Sequence, residues 1–406
     1  HLKLTRIAGF WVPAAQNLSD NTDAAGTFMF SIYHRSIQLH HLTQVFMLIC
    51  FCLILSGCAQ LSPSADYALP PESDPSRTGA ASASATPFDG KNYLQISTLT
   101  DAASANASDT GTAPLNSYST LDVPTSVTKI DGTYFIVDCY HNQIIYHENL
   151  SDPLSQWHVM TSEIKTGHTL AGDGTVYLAD DTGNNRVLVF EKKGDLFIHT
   201  QTFDQIGNKP HALVYDKTTD TFYCWSSFSG EMYLFRHMPG DSRMYLTEIR
   251  KIDRLSNVYV RSFTIVDDVI YFVSGLPTDG TAEASPSILC CRLSDFSIIA
   301  EYPVPDSIAG MAYLMPIGHY FYLTVSTDLS GSQDAATILR CSSLKDLASG
   351  KDTDLYQDYF VGGGTPYFLG EIDGAFYLTE HRLQNHALWQ FHVSADDTLT
   401  DVTSVY

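Results

Sequence analysis

Basic residues are scarce in this chain of 406 residues: 23 Lys and Arg stand against 45 Asp and Glu, giving a formal net charge of −22 and a pI near 4.8. A phosphate backbone would be repelled, and neither a basic stripe nor an RNA-binding signature occurs, so nucleic acid is excluded as a partner. A long apolar run is also missing. Val45 to Leu55 gives eleven consecutive apolar residues, whereas a helix that crosses a bilayer needs about 20. Paired cysteine motifs are absent as well. Of eight cysteines, Cys50, Cys52 and Cys58 lie in or just after that run, and Cys139, Cys224, Cys290, Cys291 and Cys341 remain, an odd number without CxxC spacing. This excludes a complete disulfide framework and argues against a zinc site, while leaving one bridge open. No GxSxG, HExxH, P-loop or dinucleotide fingerprint occurs, so no nucleophilic catalyst is visible.

What is present begins with an address. Residues 1–28 start at His1 rather than Met and have no clear periodicity; they read as upstream sequence and are set aside from fold reasoning. From Met29, a weakly basic front of His34, Arg35, His40 and His41 leads into the eleven-residue run, which has the length of a signal-peptide core. Leu55-Ser56-Gly57-Cys58 follows directly and resembles the lipobox of bacterial lipoproteins. The resemblance implies a signal peptide over 29–57, a diacylglyceryl group on Cys58, and a mature protein tethered to a bacterial membrane and facing outside the cytoplasm. Each buried acyl CH₂ would contribute about 0.8 kcal/mol of anchoring. Residues 58–120, rich in Ser, Ala, Thr, Asp and Pro, read as a flexible, disordered tether. Within it, Tyr93-Leu94-Gln95-Ile96-Ser97 alternates well enough to form a strand.

From residue 121 to 406 the chain is dense in Tyr, Phe, Val and Ile, broken every 8 to 12 residues by Asp-Gly, Gly-Gly, Ser-Gly or Asn clusters. That pattern predicts an all-β architecture. GTYFIVD, GTVYLAD, DTFYCWS, DVIYFVS, HYFYLTV and GAFYLTE align on an aromatic anchor: Phe135, Tyr177, Tyr223, Tyr271, Tyr322 and Tyr377. The intervals of 42, 46, 48, 51 and 55 residues suit a four-stranded propeller blade. Six anchors predict a six-bladed β-propeller of four-stranded antiparallel blades. The ring must be clasped at its seam. TLTDVTSVY is expected to supply the outer strand of blade 6, and the strand near residue 95 to lie beside it and cover the edge.

Residues 174–190, GTVYLADDTGNNRVLVF, resemble an NHL repeat, in which an aromatic-led strand precedes D-T-G-N-N-R-V and an apolar strand. Asp181, Thr182, Gly183, Asn184, Asn185, Arg186 and Val187 carry the match; blade 1 holds a degraded form in VDCYHNQIIY, and blades 3 to 6 depart further. The resemblance implies a propeller and leaves function open, since such folds host binding scaffolds, lyases and hydrolases alike. A calcium loop starting at Asp180 fails, because its sixth position is Asn185 where Gly is needed and the strand from Arg186 carries Glu191 away.

In an up-and-down blade the first-strand heads and the second-to-third loops share one rim of the central channel. The heads place Ser126, His168, His211, Arg261, Tyr313 and Tyr367 at its mouth; the loops add Asp138, His141, Asp180, Asp181, Ser226, Ser274, Glu380 and His381. Three chemistries are open to this set. Imidazoles with a carboxylate can bind a divalent metal, a His and a carboxylate can act as base and acid, and His, Arg and Tyr can hydrogen-bond a polar ligand. An Asp that ends a blade strand also ordinarily caps the next turn. Trp225 suits either sugar stacking or packing between blades. The leading expectation is binding of a small molecule, carbohydrate or protein partner at this rim or on the long loops LPTDGTAEASPS and VSTDLSGSQDAA, without a cofactor. The alternative is a metal-assisted lyase or hydrolase for a polysaccharide or peptide, using His168 and His211 with Asp180 or Glu380.

Overall fold

Each aromatic anchor occupies the second strand of a four-stranded antiparallel sheet, and six such sheets form the ring of a β-propeller. The computed structural model describes residues 4–7, 10–13, 85–96, 98–101, 111–278, 285–383 and 385–406. The apolar run Val45 to Leu55, Cys58 and the tract expected to be a lipobox lie outside the described residues. Blade 1 comprises Pro124–Ile130, Thr133–Asp138, Gln143–His147 and His158–Thr161; blade 2, Leu170–Gly172, Tyr177–Asp181, Arg186–Lys193 and Leu196–Asp204. Blades 3 to 6 begin at Pro210, Val258, Gly310 and Thr365. Leu4–Ile7 and Phe10–Pro13 form a separate antiparallel pair.

Local chemistry sets the hairpins. Asp131-Gly132 in blade 1 and Asp373-Gly374 in blade 6 both have positive φ at each position, the left-handed pair that a two-residue turn needs to match strand twist. The anchors then pack between blades: Phe135 lies 5.6 Å from Tyr177, and Trp225, fully buried, lies 4.7 Å from Phe272. Trp225 is therefore core. Each such side chain contributes about 1.5–3 kcal/mol on burial. All five cysteines of the ring are free and buried.

Blade 5 departs from the repeat. Its outer strand is Thr353–Asp354 alone, and two short helices flank it, α1 (Leu344–Ala348) and α2 (Tyr356–Tyr359). Ser343 caps α1, accepting from the Asp346 amide.

The tract DTGNNRV forms the second-to-third turn of blade 2. Asp181, fully buried, accepts from the Lys165 amide at 2.8 Å, from Asn184 at 2.9 Å and from Arg186 Nε at 2.6 Å. Asn185 adopts φ 55° and its side-chain oxygen accepts from the Lys209 amide of blade 3 at 2.8 Å. Asn142 does the same for Thr166 at 2.9 Å, joining blades 1 and 2. The repeat signature is thus the device that fixes one blade to the next.

TLTDVTSVY supplies the outer strand of blade 6, Leu399–Ser404. The strand expected beside it lies elsewhere. Leu99–Asp101 pairs with Leu196–Asp204 as a fifth strand on blade 2, the Leu94 amide bonds Leu246 of blade 3, and Tyr93 packs on Tyr245. Ile96 and Leu99 cover the apolar layer between blades 2 and 3, which outweighs any pairing at the seam. Residues 114–116 continue along the outer strand of blade 1, where the Val159 amide bonds Pro114 at 2.8 Å. Blades 1 and 6 share no strand. Their seam is held on one face by Lys129 and Asp373 at 2.6 Å, and on the other by Tyr406, whose hydroxyl accepts from Trp157 Nε1 at 2.9 Å and donates to the Leu150 carbonyl at 2.6 Å.

Candidate functional site at the channel mouth and the seam

The first-strand heads do bring His168, His211, Arg261, Tyr313 and Tyr367 around one central cavity. In blade 1 the lining residue is Thr125 rather than Ser126: Thr125 stands at the register shift after Pro124 as His211 stands at the one after Pro210. The cavity measures about 40 Å³, which admits ordered water and falls far below the ~300 Å³ of a small-molecule site.

Side chains fill the rest of the channel. The His168 and His211 rings stack with centroids 3.7 Å apart, and His168 lies 6.2 Å from Tyr367. His211 Nδ1 donates to the Arg261 carbonyl at 2.8 Å, which fixes the tautomer and leaves Nε2 to accept from Tyr259 at 3.1 Å. Arg261 donates to the carbonyls of Gly310 and Met311 and covers the Tyr259 ring. Burial lowers both histidines: His211 to about 4, against the hydrogen bond to the Arg261 carbonyl and with the Arg261 charge, and His168 well below its ordinary value, assisted by His211 and Arg261. Both are neutral at pH 7. Burial likewise pushes the Tyr367 hydroxyl well up.

The rim carboxylates are engaged as well. Asp180, fully buried, accepts from the His168 amide at 3.0 Å, the Thr169 amide and hydroxyl at 2.6 Å each, and Thr182 at 2.8 Å. Burial raises it to about 6 against these hydrogen bonds. Asp138 accepts from the Asp122 amide at 2.8 Å and from His141 Nδ1 at 2.7 Å; burial raises it. Glu380 is held between blades 5 and 6 by the Tyr356 hydroxyl and by Trp389 Nε1 at 2.8 Å, and burial raises it too. Gly364 passes so close that a Cβ there would come within 2.6 Å of the Tyr356 oxygen. Ser126 and Ser274 are buried with unpartnered hydroxyls.

His168, His211 and Asp180 therefore meet, but His168 Nδ1, both nitrogens of His211 and both oxygens of Asp180 are hydrogen-bonded within the ring, and Glu380 faces other partners. Among the described residues no three His, Cys, Asp or Glu side chains gather as a metal ion requires. The donor set proposed for metal-assisted chemistry does not fit, and no step is derived through it.

Open space lies at the seam instead. A cavity of about 500 Å³ sits on the same face, between the segment 119–124 that enters blade 1 and residues 380–383, 385, 387 and 404–406 of blade 6. His381 joins it to the channel: it lines the cavity, its ring lies 5.2 Å from Tyr367, and its buried Nε2 has no hydrogen-bond partner. Burial lowers His381 to about 4, with Arg261 and Arg382 adding to the shift. Arg382 donates from Nε to Thr365 at 2.6 Å and from Nη2 to Gly364 at 2.6 Å and Gln333 at 3.3 Å. Asp122, Arg382 and Tyr406 were not among the expected site residues. The available signal was an aromatic standing alone in a polar tract, as Tyr118 does in NSYST and Tyr140 in the first second-to-third loop.

Comparison with known proteins adds shape alone. No family model and no curated protein matches the chain. Among solved structures, a Bacteroides uniformis protein described as a candidate 6-phosphogluconolactonase is 13% identical over 69% of this chain and 84% of that one, with a TM-score of 0.48. Kuenenia stuttgartiensis hydrazine synthase is 13% identical over 70% and 79%, at 0.47, and a streptogramin B lyase 13% identical over 71% and 85%, at 0.46. At these values nothing about activity follows, and the propeller rests on its own strand pairing.

Proposed function

We propose that this is a membrane-tethered, extracytoplasmic binding protein, anchored to a bacterial membrane through acylated Cys58, whose propeller takes a ligand in the seam cavity. The observation that carries the reading is the contrast in volume: about 500 Å³ at the seam against about 40 Å³ in the channel, where ligand sites run from ~300 to ~1,000 Å³. The expected rim residues divide accordingly. His381 reaches the ligand; His168, His211, Arg261 and Tyr367 form the wall behind it; Asp138, Asp180 and Glu380 hold the loops in place.

The test is a thermal-shift screen of polar metabolites and saccharides with the purified chain, repeated on Thr120→Trp, which places an indole in the cavity, and on Tyr313→Phe in the channel. Shifts that vanish in Thr120→Trp and persist in Tyr313→Phe support the reading. The reverse pattern moves the site into the channel and overturns it. The anchor is tested separately: Cys58→Ala protein should leave the membrane fraction, and its retention after a salt wash would refute acylation as the tether.

A further inference from the structure

We infer that the ligand of the seam cavity is a neutral saccharide, an inference that rests on the binding reading above. Two aromatic rings open to water adjoin wall residues of the cavity through the backbone. Tyr118 immediately precedes the wall residue Ser119 and is 41% exposed; Tyr140, whose amide bonds the wall residue Asp122 at 3.0 Å, is 61% exposed. Tyr118 is braced: its ring stacks on His141 at 3.5 Å with 14° between planes, and Asn116 brackets its backbone, accepting from the amide at 3.1 Å and donating to the carbonyl at 3.1 Å. A rigid, exposed aromatic face suits the C–H face of a pyranose, which is flat and apolar while its edge is polar.

The edge chemistry agrees. Ser119 and Thr120 line the cavity with hydroxyls that both donate and accept, as sugar hydroxyls do, and His381 Nε2 has a hydrogen-bonding capacity that no protein group meets. An anionic ligand fits less well. His381 is neutral, and the chain carries a net charge of −22. An extended peptide fits poorly too, since it would need a free strand edge. The Asp122 amide is taken by Asp138, and the Asp122 and Val123 carbonyls by Tyr140 and Cys139.

The experiment is a glycan array of neutral and uronate- or sialate-bearing oligosaccharides, probed with the full chain, with hits titrated calorimetrically against wild type, Tyr140→Ala and His381→Gln. The expected result is binding of neutral glycans alone, weakened about tenfold or more in each variant, with thermal stability of Tyr140→Ala unchanged. No neutral glycan bound overturns the inference. An anionic glycan bound and lost in the variants overturns the saccharide class and leaves the cavity reading standing. Neutral glycans bound equally by wild type and both variants overturn the cavity reading itself.

Discussion

The centre of the ring and its seam present similar side chains in opposite states. At the centre, His168 and His211 stack on each other, His211 has both ring nitrogens hydrogen-bonded, and Arg261 is spread over two carbonyls and a Tyr ring. At the seam, His381 has a buried nitrogen with no partner, and the wall opens on about 500 Å³. Both places offer imidazole, guanidinium and phenol. What separates the two is space: the central groups close on one another around about 40 Å³, whereas those of the seam border about 500 Å³.

The comparison breaks hardest at the seam's own support. Trp157 is fully buried and its Nε1 meets Tyr406 across the junction, so Trp157→Ala should cost about 3–5 kcal/mol in denaturant unfolding. The same substitution should abolish seam ligand binding, because Tyr406 walls the cavity.

Second in size are the carboxylates. Asp180→Ala strands two amides and a hydroxyl in the interior and should cost about 3 kcal/mol. Asp122→Ala, at an exposed position of the cavity wall, should change stability by less than about 0.5 kcal/mol. Equal losses would erase the distinction between the two places.

Acid sharpens the contrast through the histidines. The folded state holds His211 and His381 near 4, whereas the unfolded chain protonates them near the ordinary 6.5. Their contribution is therefore whole above pH 6.5 and is lost as pH falls toward 4; for His211 the full loss is about 3 kcal/mol. Asp180, raised to about 6 from 3.8, acts in the opposite sense, gaining its proton earlier in the fold, and so offsets the loss only below about pH 6. Raised Asp138 and Glu380 act in the same direction as Asp180. Melting temperature should begin to fall near pH 6.5, and Asp180→Asn should fall more steeply below pH 6 than wild type does.

The smallest effect belongs to the clasp hydroxyl. Tyr406→Phe removes the hydrogen bonds to Trp157 and Leu150 and keeps the ring, for a loss of about 1 kcal/mol.

The ring itself was legible because its signal repeats. Six anchors at intervals of 42 to 55 residues gave blade count, strand order and the residues facing the channel, with Thr125 in place of its neighbour Ser126 in blade 1. The state of those residues was not legible. That Asp180 spends its oxygens on Thr169 and Thr182, or that Tyr356 of α2 reaches Glu380, depends on three-dimensional closeness that no periodicity records. The seam cavity was hidden for a related reason: it is assembled from residues near 120, near 381 and at 404–406, which adjoin only once the ring closes. Tyr93 to Ile96 had the alternation of a strand, but alternation names no partner, and the apolar layer between blades 2 and 3 decided it.

The channel histidines are neutral parts of the wall. This is tested most directly by a proton NMR titration of the imidazole resonances of His168 and His211, assigned with His168→Gln and His211→Gln. Neither ring should titrate between pH 8 and pH 5, with the His211 midpoint near 4. A midpoint near 6.5 for either ring would mean a hydrated, protonatable channel mouth and would contradict it.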